Sequence, residues 1–155
     1  MLRHMRFNHP AAIVIASLCL VATISAQQKP NFSGHWVAVS PADAAGQEQF
    51  VKHDATSLAT SHESEGDPHR ETYKLDGSES RNVLTSHGAE IVTLSKAEWT
   101  GNQLTITSST VYPDGRKLAQ KETWSMDAEA RLVIAFTQTM AGQPEMSMKM
   151  IYKKQ

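Results

Sequence analysis

Hydrophobic and polar residues alternate along the second half of the chain, and no long segment shows helical periodicity. Turn residues interrupt this alternation, most clearly at Gly101-Asn102 and Pro113-Asp114-Gly115. Pro presets the first turn position and Gly accepts positive φ, while period two is typical of strands with one buried face. The pattern predicts an antiparallel meander of five strands over residues 91–99, 103–112, 116–126, 131–140 and 145–153.

The first half shows the same pattern less regularly. Residues 41–46 are predicted to form a loop or one helical turn, and residues 64–68 a polar loop. Further strands are predicted at residues 34–39, 47–53, 57–63, 70–75 and 78–84, the last two joined by Asp76-Gly77, a favoured hairpin dipeptide. A meander of nine or ten short strands removes its edges best by closing on itself. We therefore predict an all-β fold, a single antiparallel up-and-down β-barrel of about eight to ten strands.

Turn lengths predict which side chains share a face, because register couples side chains across strands. A two-residue loop at Gly101-Asn102 places Trp99 opposite Leu104, and a three-residue loop after Tyr112 places Leu104 opposite Trp124. The other face is rich in Lys, Glu and Thr and is predicted to face solvent. The predicted inner face carries apolar residues together with several polar ones: Trp99, Leu104, Ile106, Leu118, Trp124, Ser95, Ser108, Gln120 and Glu122.

These inner polar groups allow two interpretations. In a packed core each would need a partner or would cost about 1–3 kcal/mol, whereas in a barrel with a cavity they can face water or a ligand. The first interpretation is a packed interior whose polar residues satisfy one another. The second is a pocket for a small, mainly apolar ligand, with Gln120 and Glu122 as polar contacts and an apolar lining of Trp99, Leu104, Ile106, Leu118 and Trp124.

The first 26 residues differ from the rest of the chain. Arg3 and Arg6 precede an apolar run over residues 11–22, and residues 23–26 end in the small residue Ala26, which is typical of a signal peptide cleaved after Ala26. The run is about 14 residues long, and a membrane helix needs roughly 20. We therefore expect a signal peptide over residues 1–26, one domain over residues 27–155, and export to a bacterial periplasm or medium without stable membrane insertion.

Removing the leader changes the composition. The sequence holds 15 Lys plus Arg and 16 Asp plus Glu, and Arg3, Arg6 and the single cysteine, Cys19, all belong to the leader. The domain is therefore mildly acidic, which argues against nucleic-acid binding. The absence of cysteine excludes disulfides, thiol catalysis and cysteine-based metal sites. Met140, Met146, Met148 and Met150 form a stripe that is more typical of core filling than of recognition.

Catalytic and metal-binding patterns are weak. The histidines lack the i,i+2 or i,i+4 spacing that usually places two imidazoles on one ion, so no metal or other cofactor is expected and solvated positions are predicted for His35, His53, His62, His69 and His87. Glu122 is the one acidic residue placed on the inner face, and a hydrated loop is predicted for Glu63, Glu65, Asp67 and Glu71. The sequence contains no Gly-x-Ser-x-Gly elbow. We therefore expect binding rather than catalysis.

The first strand opens with Gly-x-Trp, from Gly34 to Trp36. This motif resembles the opening of the lipocalin/calycin barrels. Residues 30–36 (Pro-Asn-Phe-Ser-Gly-His-Trp) are similar to the start of short exported bacterial proteins described as lipocalin-like. Those proteins also carry Trp-x-Gly-Asn-x-Leu-x-Ile, here residues 99–106, a Tyr/Phe-x-Asp-Gly turn, here residues 112–115, and Glu-Thr-Trp, here residues 122–124. The resemblance covers both ends of the domain and leaves out residues 41–88.

The resemblance implies a barrel that holds small apolar molecules without catalysis. Gly34 and Trp36 would then be structural, with Trp36 closing one end of the barrel. A basic residue from a late strand should stack on Trp36, and Arg131, Lys149 and Lys153 are all candidates. The chain departs from true lipocalins in lacking cysteine.

Three functions follow from these observations. The first is an exported lipocalin-like protein that binds a small, mainly apolar molecule inside the barrel. The second is a structural or partner-binding envelope module with a packed interior, and the third is an isomerase or hydrolase that uses Glu122 in a cavity. The interior volume of the folded barrel separates the first two.

Overall fold

The computed structural model of the protein describes residues 29–64, 67–86 and 88–155, so the predicted signal peptide lies outside the described residues. A short 3-10 helix, Ala42–Ala44, is the helical turn allowed for residues 41–46. No helix among the described residues is long and apolar enough to cross a membrane. Ten strands follow along the chain: β1 (Gly34–Ser40), β2 (Glu48–His53), β3 (Ser57–Ser64), β4 (Asp67–Lys74), β5 (Ser80–Ser86), β6 (Ala89–Thr100), β7 (Gln103–Val111), β8 (Lys117–Met126), β9 (Leu132–Met140) and β10 (Met146–Lys154).

The strands form one antiparallel, nearly closed barrel. Strands that are consecutive in sequence are neighbours in the sheet, except β4 and β5, and the first strand pairs with the last. The predicted all-β, up-and-down barrel is therefore confirmed, at the upper end of the predicted strand number. Side chains bridge the seam between β4 and β5: Asn82 accepts a hydrogen bond from the Thr72 amide at 2.9 Å, and Ser80 accepts one from the Lys74 amide at 2.8 Å.

The register predicted for the second half is confirmed. Trp99 lies opposite Leu104, and Leu104 lies opposite Trp124 on the next strand. Ile106 faces Glu122 in the same way. Inner and outer side chains alternate along these strands because the pleat has a period of two.

The polar loop predicted for residues 64–68 is wrong at residues 64, 67 and 68, which lie in strands, and residues 65 and 66 lie outside the described residues. Strand β3 continues to Ser64, and this residue pairs with Asp67 at the start of β4. The composition of this segment suggested a loop because it lacks an apolar face. The strands therefore extend further than the polar composition of the segment suggested.

One end of the barrel, which we call the apolar end, is filled by side chains that are almost completely buried: Phe32, Trp36, Leu58, Leu104, Trp124 and Leu132. The Trp36 indole Nε1 donates a hydrogen bond to the Phe32 carbonyl at 2.8 Å. This bond satisfies the one polar atom of a fully buried indole. Phe32, which precedes β1, therefore crosses the apolar end and closes it.

The basic residue over Trp36 is Lys154, whose ammonium lies 5.4 Å from the ring centroid. None of the three predicted candidates takes this place, and Arg131 pairs instead with Asp127. Register explains the difference, since Trp36 lies directly opposite Lys154. Gly34 makes room for this lysine: its φ is +152°, and a Cβ there would lie 2.5 Å from Lys154 Cε.

The methionine stripe is divided between core and surface. Met150 is buried in the core and Met148 packs against it, so core filling is confirmed for these two residues. Met146 is 43% exposed, and for it the prediction is wrong. Met146 begins β10 at the end of the strand away from Lys154 and contacts the Gln138 amide, which lies opposite it.

Candidate ligand-binding cavity

Beyond the apolar end the barrel contains a cavity of about 190 Å³ that is open to solvent on one side. Inward side chains of β2, β3, β4, β8, β9 and β10 form most of its wall. At about 30 Å³ per molecule this volume holds about six waters. It is smaller than the roughly 300–1,000 Å³ typical of sites for drug-sized ligands. The cavity therefore suits a small molecule.

Glu122 on β8 carries a half-buried carboxylate that lines the cavity. Its two oxygens accept hydrogen bonds from Gln120 Nε2 at 2.6 Å and from Trp124 Nε1 at 2.7 Å. The three residues share a face because they are two positions apart on one strand. Burial raises the pKa of Glu122 above its usual value, while the two hydrogen bonds act in the opposite direction.

A second carboxylate, that of Glu71 on β4, also lines the cavity and accepts a hydrogen bond from the Tyr73 hydroxyl at 2.7 Å. The charge of Glu71 raises the pKa of Glu122 further, since two nearby carboxylates disfavour double ionisation. Burial and the charge of Glu122 raise the pKa of Tyr73 well above its usual range and that of Tyr152 to about 12. Both tyrosines therefore stay protonated.

Two buried polar side chains in the wall have no protein partner. Gln49 and Thr60 are only 9% and 6% exposed, and both line the cavity. Among the described residues, neither side chain has a hydrogen-bond partner, and no completely enclosed side-chain nitrogen or oxygen is left unsatisfied. The free polar atoms of these two residues are therefore accessible from the cavity, where a ligand or water can bind them.

Two histidines, His53 and His62, do not lie in the solvated positions predicted for them. His62 lines the cavity and stacks on His69 with ring centroids 5.1 Å apart, and burial lowers the pKa of His62. His53 stacks on Phe32, and its Nδ1 accepts a hydrogen bond from the Phe32 amide at 3.1 Å. Spacing along one strand missed the His62–His69 pair because the two residues meet across a hairpin.

The structure brings together only part of the predicted ligand-binding set. Gln120, Glu122 and Trp124 line the cavity. Leu104 and Ile106 are completely buried in the core and do not line it. Leu118 is partly buried beside Met140 at the other end of β8, away from the cavity wall. Trp99 stacks on Phe32 at 5.8 Å, with the Lys29 ammonium 5.1 Å from its ring.

The lining residues that the sequence did not assign to the site include Gln49, Thr60, Glu71 and Tyr73. These four lie on β2, β3 and β4, where the sequence did not determine the register. The hydrated-loop prediction for Glu71 is wrong, since this residue faces inward two positions before buried Tyr73. The sequence did contain a signal for this placement: Glu71 lies two residues before Tyr73 on the strand that leads to the Asp76-Gly77 turn, and residues two apart on a strand share a face.

No group of three or more His, Asp or Glu side chains in the described ranges is arranged to hold a metal ion. No protein-family model matches the chain, and no curated protein matches it either.

Proposed function

We propose that this protein is an exported, lipocalin-like barrel that binds one small amphipathic molecule in its interior. The observation that carries the proposal is the pair Gln49 and Thr60, which are buried, line the cavity and have no side-chain hydrogen-bond partner among the described residues. Buried polar groups are nearly always hydrogen-bonded. A ligand with hydrogen-bonding atoms would complete this arrangement.

The size and chemistry of the wall refine the expected ligand. Ile134, Phe136 and Met150 provide an apolar side, while the carboxylates, hydroxyls and Gln49 amide provide a polar one. A purely apolar ligand that displaced water would leave Gln49 and Thr60 unsatisfied, at about 1–3 kcal/mol each. A small molecule with an apolar body and a polar head is therefore favoured over the mainly apolar ligand expected from the sequence.

The lipocalin-like assignment and export are parts of the same proposal. Burial of Trp36 at the closed end, with Lys154 over its ring and Gly34 beneath that lysine, supports the resemblance of the Gly-x-Trp motif. Export to the periplasm or medium is supported by the leader pattern in residues 1–26.

A packed, partner-binding barrel is less well supported, because the interior holds a cavity. The observation in favour of a cavity enzyme is the raised pKa of Glu122 beside the second carboxylate of Glu71. However, each Glu122 oxygen already accepts an N–H at 2.6–2.7 Å. These short contacts hold the carboxylate in place and favour a charge-bearing role over proton transfer.

Nuclear magnetic resonance tests binding with two indole signals in the same molecule. Trp124 Nε1 contacts Glu122 in the cavity wall, whereas Trp36 Nε1 is bonded to the Phe32 carbonyl away from it. Titration with benzyl alcohol, benzylammonium and benzoate should shift the Trp124 signal for at least one compound and leave Trp36 unchanged. If none of the three moves Trp124 in the folded protein, the proposed function is wrong.

A cavity-filling variant provides the matched control. Thr60→Phe places a large side chain in the cavity and should abolish the Trp124 shift. Thr107→Phe makes the same change at an exposed position on β7 and should leave the shift unchanged. A Trp124 shift that survives Thr60→Phe would place the binding outside the cavity and overturn the proposal.

A further inference from the structure

The charge lining the cavity has one sign. Glu71 and Glu122 lie in the wall, and Glu48 and Glu63 stand at the exposed rim. Neither Lys nor Arg is found among the described residues that line it. His62 adds no positive charge near neutral pH, because burial favours its neutral form. At the rim Glu48 pairs with His35, and Arg70 lines the adjoining pocket. The inner wall, with Glu71 and Glu122, is therefore acidic and carries no basic side chain among the described residues that line it.

The inner carboxylates have only neutral partners. Glu122 is held by the Gln120 amide and the Trp124 indole, and Glu71 by the Tyr73 hydroxyl. Neither glutamate takes part in an ion pair within the described part of the chain. Buried charges in proteins are normally paired or bound to a cation. A cationic ligand would supply the missing partner.

The remaining groups of the wall also fit a cation. Gln49 and Thr60 offer a carbonyl and a hydroxyl oxygen that have no hydrogen-bond partner in the described part of the chain. An ammonium group has three N–H donors and no acceptor, which matches a wall rich in oxygen acceptors. The wall also contains Trp124, Phe136 and two tyrosines, and aromatic faces attract cations.

We infer that the ligand of this cavity is a small organic cation, a protonated amine on a short apolar body, with its charge held by Glu71 and Glu122 and its N–H groups by Gln49 and Thr60. This inference rests on the proposed function. The cavity volume of about 190 Å³ limits the apolar body to roughly one ring or a short chain. An anionic ligand would meet two uncompensated carboxylates and is disfavoured.

The test compares three ligands of nearly one shape: benzylammonium, neutral benzyl alcohol and anionic benzoate. At neutral pH, benzylammonium should bind about tenfold or more tightly than benzyl alcohol, because it forms charge-assisted hydrogen bonds. Benzoate should not bind. Equal affinity for the amine and the alcohol would overturn the inference and leave the proposed function standing. Absence of any Trp124 shift would instead overturn the proposed function itself.

Variants that remove a carboxylate charge without changing the side-chain shape test which glutamates bind the ligand's charge. Glu71→Gln and Glu122→Gln should each weaken benzylammonium binding by about tenfold or more, and should weaken benzyl alcohol binding much less, because the alcohol carries no charge. Glu98→Gln, at an exposed position on β6, is the matched control and should change neither affinity. Because Glu71 has a single side-chain bond, to Tyr73, its variant keeps the test valid if Glu122→Gln fails to fold. Unchanged benzylammonium affinity in Glu71→Gln would overturn the inference.

Discussion

The seam between β4 and β5 offers a sharp prediction, because side chains rather than backbone pairs join these strands. Asn82 Oδ1 accepts from the Thr72 amide at 2.9 Å, and Asn82 Nδ2 donates to the Thr72 carbonyl at 3.3 Å. Ser80 Oγ accepts from the Lys74 amide at 2.8 Å. We expect Asn82→Ala and Ser80→Ala each to release one backbone amide of β4 without moving the rest of the sheet.

The two losses should differ in size because the two sites differ in exposure. Ser80 is only 4% exposed, so its removal leaves the Lys74 amide unsatisfied, at a cost of about 1–3 kcal/mol in the free energy of unfolding. The bonds of Asn82 are exposed, and water replaces them in the variant. Asn82→Ala should therefore cost about 0.5–1.5 kcal/mol.

Amide hydrogen exchange measured by nuclear magnetic resonance, together with urea unfolding, tests this expectation. Asn82→Ala should accelerate exchange at Thr72 and leave Lys74 protected, while Ser80→Ala should do the reverse. A local loss of about 1.4 kcal/mol corresponds to about tenfold faster exchange. The readout is specific to a residue, so a general loss of stability cannot imitate it.

Conservative variants complete the seam experiment. Asn82→Asp keeps the oxygen that accepts from Thr72 and loses only the donor, so protection of the Thr72 amide should persist. Ser80→Thr keeps the hydroxyl and should protect Lys74. Full protection of Thr72 in Asn82→Ala would refute the reasoning, because it would require another acceptor for that amide.

Two further predictions concern the core and the cavity. Leu104→Ala, at a completely buried site, should cost about 2–5 kcal/mol in urea unfolding, and Leu118→Ala, at a partly exposed site, about 1 kcal/mol; equal losses would contradict the packing described. Burial raises the pKa of Glu122, so protonation of this carboxyl stabilises the folded state. That stabilisation is complete below pH 4.5, the ordinary pKa of the group, and is lost as the pH rises through the raised pKa. Glu122→Gln should therefore gain stability over the wild type as pH rises, and a difference constant from about pH 4 to pH 8 would contradict the burial of this carboxyl.

The second half of the barrel was predictable because its turns leave little freedom. Gly101-Asn102 and the Pro113-Asp114-Gly115 turn set the loop lengths, and loop length sets register. Trp99, Leu104 and Trp124 therefore lie opposite one another as expected. The same register placed Glu122 on the inner face beside Gln120.

The site itself was only half predictable. Residues 41–88 have no comparable chain of turn signals, so the register of β2 to β4 stayed open and Glu71 was assigned to a loop. The lysine over Trp36 is Lys154, one position after the predicted candidate Lys153. The reason is related, because β10 pairs with β1 only when the barrel closes. Contacts between the first and last strands depend on closure, and local patterns do not encode closure.

By itself the sequence determined the strand pattern, the meander and the inner face of its second half, because alternation and turn chemistry act over a few residues. Only the tertiary structure decided which inner positions meet a cavity and which meet the apolar end. Leu104 and Glu122 lie on the same face of the sheet. Leu104 is buried in the core together with Phe32 and Trp36, whereas Glu122 is close enough to Glu71 for their charges to interact. That difference arises from strands brought together by closure, whose side chains come from distant parts of the chain.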